Sequence, residues 1–140
     1  MTDHIDVGWL LDGLRDRVPH VVHAVAVSAD GLLIAKTSDL PVDRADTLAA
    51  IASGLVSLLA GAARAWEGSV ISNMTELSIG YMFSMAVNSG ASLLLLAGRE
   101  VDVGAVSYEM SALIDKVGPA LSAAARDSLV TTPAAGGGQR

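Results

Sequence analysis

The side chains able to do chemistry are few and poorly placed for it. The 140-residue chain has three histidines, His4, His20 and His23, and no cysteine, so thiolate nucleophiles, disulfides and cysteine-ligated metals are excluded. None of the histidines stands with acids at metal-ligand spacing. His20 and His23 flank the start of an apolar run, where a structural role is the expected reading. Fifteen Asp and Glu residues are present, yet no paired-carboxylate pattern stands out among them. No G-x-x-x-x-G-K-[ST] phosphate loop occurs, and no G-x-G-x-x-G opens a helix after a strand. The glycines of "AGGGQ" near the C-terminus suit a flexible tail, and "NMT" at Asn73–Thr75 carries no weight in a protein expected in the cytoplasm. No nucleophile is matched with a base. The expectation is a non-enzymatic chain with no cofactor and no metal.

Composition narrows the remaining classes. Hydrophobic residues make up 51% of the chain and charged residues only 17%, which leaves few charges to cover a surface. The formal net charge of −6 disfavours nucleic acid, whose phosphates call for clustered Lys and Arg. The N-terminal "MTDHIDVGWLLDGLRDR" has acids where a secretory signal needs basic residues, so a cytoplasmic location is expected.

Hydrophobic periodicity supplies the elements. Val7, Leu10 or Leu11, Leu14 and Val18 recur at helical spacing, with Thr2 or Asp3 as cap and Pro19 as the stop. "VVHAVAV" is apolar on both strand faces and reads as an interior strand, turning at Asp30-Gly31 into Leu32–Ser38. A long helix follows, opened by Pro41 and Asp43 and closed at Gly68. "SVISNMTELSI" reads as a polar edge strand, and "GYMFSMAV" and "ASLLLLAG" as two more strands joined by a turn. Val103, Val106, Met110, Leu113, Val117 and Leu121 mark a last helix, which Pro119 should kink or split. The predicted class is α+β, a five-stranded antiparallel sheet with helices on both faces in the order αββαβββα. One domain is expected over residues 1–129, with a flexible tail over 130–140.

The long helix is the unusual element. From Thr47 to Ala63 it carries no charge, and ten of those seventeen residues are Ala, Ser or Gly. As a membrane span the run is short, about 25 Å against a hydrocarbon core of roughly 30 Å, and no basic cluster flanks it. On a helical wheel Leu48, Ile51, Leu55, Leu58, Leu59, Ala62 and Trp66 share one sector, expected to face the sheet. The opposite sector, Ala50, Ser53, Gly54, Ser57 and Gly61, lacks the Lys, Glu and Arg of a solvated face. Either the other helices or a second copy covers it, and the two-fold contact is the commoner solution. The expected dimer interface is Ala50, Ser53, Gly54, Ser57, Gly61 and Arg64, extended by Ile71, Asn73 and Thr75 of an edge strand over Val70–Ser78.

Taken together, "LLDGLRDRVPHVVHAVAVSADGLLIAKTSDL", "LAAIASGLVSLLAGAARAW", "GYMFSMAVNSGASLLLLAG" and "VDVGAVSYEMSALIDKVGPAL" resemble the Roadblock (dynein light chain) superfamily. The closest likeness is to its bacterial branch, found beside a small Ras-like GTPase and a sensor-kinase-like protein. The resemblance implies a homodimer in which the second helix packs on its mate and the third strand pairs across the two-fold axis. It further implies a regulator or scaffold for a small Ras-like GTPase, some members stimulating hydrolysis and others recruiting. Three rival readings stand beside it: a ligand-sensing domain, a pure scaffold in a sensor-kinase signalling complex, and an enzyme, for which the sequence offers no catalytic set.

Overall fold

The computed structural model describes residues 6–87 and 90–136, with side chains described as far as Leu121. Helix α1 spans Val7–Arg17, strand β1 Val21–Val27, β2 Leu33–Lys36, helix α2 Val42–Ala65, β3 Ser72–Leu77, β4 Gly80–Ala86, β5 Ser92–Gly98, and helix α3 Val103–Gly136. The strands form one sheet in the order β2-β1-β5-β4-β3. Each neighbouring pair is antiparallel, which yields the expected αββαβββα architecture.

Strand alternation divides the core into two layers. Val21, Ala24 and Ala26 of β1, Phe83 of β4, and Leu93, Leu95 and Ala97 of β5 face α1 and α3. Those helices return Leu11 and Leu14, and Val106, Met110, Leu113, Val117 and Leu121, at steps of three and four residues. Val25, Val27 and Leu94 point the other way, onto α2. Arg17 of α1 donates to Glu109 of α3 at 3.0 Å, tying the two helices of the first layer together.

Local chemistry sets the element limits. The side chain of Asp6 accepts from the Trp9 amide at 3.0 Å and caps α1, whereas Thr2 and Asp3 lie outside the described residues. At the β1–β2 turn Gly31 takes a φ of 86°, a conformation open to glycine. The expected strand over Val70–Ser78 is shorter, Ser72–Leu77. Helix α2 ends at Ala65, and the left-handed residue is Glu67, at φ 60°, one position before the expected Gly68. The Gly68 amide then closes the helix end onto the Ala63 carbonyl at 2.9 Å.

Helix α3 is not split at Pro119: it continues through that residue and on to Gly136, past the expected domain end at 129. Proline costs the helix one amide donor, and the apolar series Val106–Leu121 packed on the sheet spans the site of that loss. The part of the expected tail within the described residues, 130–136, is thus helical, and 137–140 lie outside them.

Candidate interaction surface

Helix α2 rests on the sheet through small residues. Ala45, Ala49 and Ala52 are its buried positions, set on Val25, Val27 and Leu94. This corrects the wheel assignment, which put the leucine sector against the sheet. Branched side chains rising from β1 and β5 fill the space between the layers, so the fully buried helix positions are alanines, with Leu48 of the leucine sector packed at the edge of the layer. The sector carrying Ile51, Leu55, Leu58 and Trp66 is turned aside instead, with Leu58 77% and Trp66 84% exposed. An apolar flank of this kind is costly to leave in water and marks an interaction site.

On the other flank the chain itself meets Ser53. Ser53 donates from Oγ to the Ala29 carbonyl at 3.0 Å, and the Gly31 turn packs against its Cβ. Ser53 and Ser57 line a cleft of about 360 Å³ with Ser28, Ser92 and Arg64, on the side of the β1–β2 turn. Gly54 faces open space, and beside Gly61 stands only the Arg64 guanidinium, so neither glycine is needed for a contact with the sheet. Ala50 is exposed beside them. Of the predicted helix positions, Ser53 serves the chain's own turn while Ala50, Gly54, Ser57, Gly61 and Arg64 are exposed, and a second, apolar area is the leucine flank, which the wheel had assigned to the core. Three sides of α2 are apolar or small, so periodicity could not choose among them; the size of Leu and Trp against Ala was the usable signal.

The β3 positions do gather. Asn73, Thr75 and, across the ladder, Met82 and Ser84 share the α2 face of the sheet. Thr75 donates from Oγ1 to Asn73 Oδ1 at 2.9 Å, confirming that the two side chains lie together. Ile71 precedes them and is 75% exposed. β3 is the last strand of the sheet, and its outer edge pairs with no described strand. At its N-terminal end the leucine flank opens over His23 of β1 and Leu96 of β5. Arg99 braces the β3–β4 turn, donating to the Leu77 carbonyl at 3.0 Å and to Glu76 Oε2 at 2.9 Å.

Titratable groups cluster elsewhere, around the β2–α2 connection. Arg15 pairs with Asp39 and, at 3.2 Å, with Asp12. Desolvation pushes the Asp39 carboxyl upward, but the hydrogen bond and charge of Arg15 outweigh it and leave the group below its ordinary 3.8. His23 lies on β1 with a buried Nδ1 that has no hydrogen-bond partner among the described residues, 3.7 Å from Asp39. His20 precedes β1 at φ 76°, with its carbonyl accepting from the Gly98 amide at 2.8 Å, and His4 lies outside the described residues. Among the described residues no three His, Asp or Glu side chains gather as a metal site.

The comparisons with known proteins decide the family. The family model for the Roadblock/LC7 domain matches residues 7–97. This chain belongs to the Roadblock/LC7 domain family. A Roadblock/LC7 domain from Streptomyces avermitilis is 41% identical, and the match covers 84% of this chain and 98% of that one at a TM-score of 0.79. MglB of Myxococcus xanthus shares the fold at 15% identity, covering 87% and 99% of the two chains at a TM-score of 0.76. An MglB described in a tetrameric arrangement matches at 15% identity and a TM-score of 0.71, covering 87% of this chain and 89% of its own. No curated protein matches the chain.

Family membership covers every element but α3, since the matched stretch closes at the end of β5. Within this Roadblock/LC7 domain α2 also has the length and composition to cross a membrane. Its 24 residues reach about 36 Å, longer than the uncharged run alone suggested. The helix is nonetheless seated on the sheet through Ala45, Ala49 and Ala52, with Asp43, Arg44 and Asp46 in its first turns.

Proposed function

We propose that this chain acts in the cytoplasm as a non-enzymatic homodimeric regulator that binds a small Ras-like GTPase and modulates its GTP hydrolysis. The carrying observations are two features of a Roadblock/LC7 domain: the flank of α2 exposed at Ile51, Leu58 and Trp66, and the free edge of β3. A second copy covers both features at once: helix packs on helix, and edge pairs with edge, so Ile71, Asn73 and Thr75 meet their mates. On the helix the interface is shifted from the predicted small residues to Ile51, Leu55 and Leu58, with Ala50, Gly54 and Gly61 at its outer rim.

The resulting double sheet is a rigid platform. Switch loops of a small GTPase are order–disorder elements, and a rigid surface that favours one of their arrangements changes the hydrolysis rate without a catalytic side chain of its own. The sparse chemistry of this chain suits that role. The sensor-kinase-like partner of the family's bacterial branch would join the same assembly.

The test has two parts. Tagged protein is used to capture a small Ras-like GTPase from the same genome, and single-turnover GTP hydrolysis by that GTPase is then measured with and without this chain. A changed rate supports regulation, and capture with an unchanged rate reduces the role to scaffolding. Failure to capture any GTPase, together with unchanged hydrolysis by every Ras-like GTPase of that genome, would overturn the reading.

A further inference from the structure

At the N-terminal end of the leucine flank a cleft of about 320 Å³ opens between α2 and the sheet. Its floor and sides are His23, Leu40, Leu48 and Leu96, with Asp43 and Arg44 at the rim. At the opposite end of the same flank stands Trp66, the C-cap of α2, 84% exposed. Glu67 follows it, and neither Arg44 nor Glu67 forms an ion pair among the described residues.

These features complement each other under one symmetry operation. Leu48, Ile51, Leu55, Leu59, Ala62 and Trp66 follow one another at steps of three and four, a continuous seam. A two-fold axis normal to an antiparallel pair of such helices, set between Leu55 and Val56, brings Arg44 opposite the partner's Glu67. The partner's Trp66 then arrives over the turn holding Arg44 and Leu48, at the mouth of the cleft.

We propose that Trp66 of each copy seats in the cleft of the other, against Leu48, Leu96 and His23, with Glu67 paired to Arg44. This rests on the homodimer reading and gives it a register. A tryptophan exposes an apolar surface of roughly 150–250 Å² that belongs in a pocket, and aromatic anchors of this type dominate interface energetics. The Arg44 guanidinium at the rim adds a cation–π contact, and the Asp43 carboxylate offers an acceptor to the indole N–H. The seat also closes the apolar cleft that α2 leaves open on the sheet.

The absence of cysteine makes disulfide trapping unambiguous. Two single variants are made, Arg44→Cys and Glu67→Cys, and oxidised separately and as an equal mixture. The register predicts a covalent dimer from the mixture and none from either variant alone. Residue 44 and its own mate lie roughly 34 Å apart in that register, far beyond the ~7 Å limit for disulfide-linked Cα atoms. In a Trp9→Phe background Trp66 is the sole tryptophan, and its emission should be blue-shifted in the dimer and move to the red on dilution. Light scattering on the unaltered chain decides the homodimer reading itself. A dimeric mass with no mixed disulfide, or with solvent-like Trp66 emission, overturns the seat while leaving the dimer standing. A monomeric mass overturns both.

Discussion

Truncating Leu58 to alanine separates burial within the chain from burial by a second copy. The side chain is 77% exposed, so the folded monomer gains little from it. Leu→Ala removes three carbons, worth about 0.8 kcal/mol each when buried. Scaled by the exposed share, each copy forfeits about 1.8 kcal/mol on association. Symmetry doubles the loss to roughly 3.7 kcal/mol, or between two and three orders of magnitude in the dimer dissociation constant at 1.4 kcal/mol per decade. Sedimentation equilibrium over a dilution series reads that shift directly. Circular dichroism melts at concentrations where both proteins are monomeric should show Tm unchanged within about 2 °C, since surface truncations cost under ~0.5 kcal/mol. A dissociation constant within fivefold of the parent would refute the placement of Leu58 in the interface. A fall in monomer Tm would show that the leucine flank packs on its own chain.

Three further outcomes follow from other parts of the structure. Glu67→Gly relieves a left-handed residue at the end of α2 and should stabilise the fold by about 1 kcal/mol in chemical denaturation, with Glu67→Ala giving no such gain. Gly80→Ala would place a Cβ 2.0 Å from the Ala97 carbonyl oxygen, inside the β4–β5 ladder, and should cost about 3 kcal/mol or prevent folding. Because the folded Asp39 carboxyl lies below its ordinary 3.8, its contribution is present above that pH and is lost as acid protonates the folded group. Acid titration of stability should therefore show a component below pH 3.8 that is absent from Asp39→Asn and from Arg15→Gln.

The sequence alone determined the order of the eight elements, because each carries its own signal: short apolar runs bounded by turns for β1 and β5, alternation for β4, and a period of three to four for α1 and α3. It also marked α2 as unusual, since a helix without charges from Thr47 to Ala63 has no face suited to water. Which side meets the sheet was decided only in three dimensions. Ala45, Ala49 and Ala52 won that place over Ile51 and Leu58, with Leu48 at its edge, because Val25, Val27 and Leu94 already fill the layer from below. The same competition left Ile51, Leu58 and Trp66 exposed and gave Ser53 to the β1–β2 turn. Pro119 was misjudged for a related reason: local propensity speaks for one residue, whereas the buried series from Val106 to Leu121 holds the helix through it. Side-chain periodicity reports how many faces an element must cover, and the volumes contributed by its neighbours decide which face goes where.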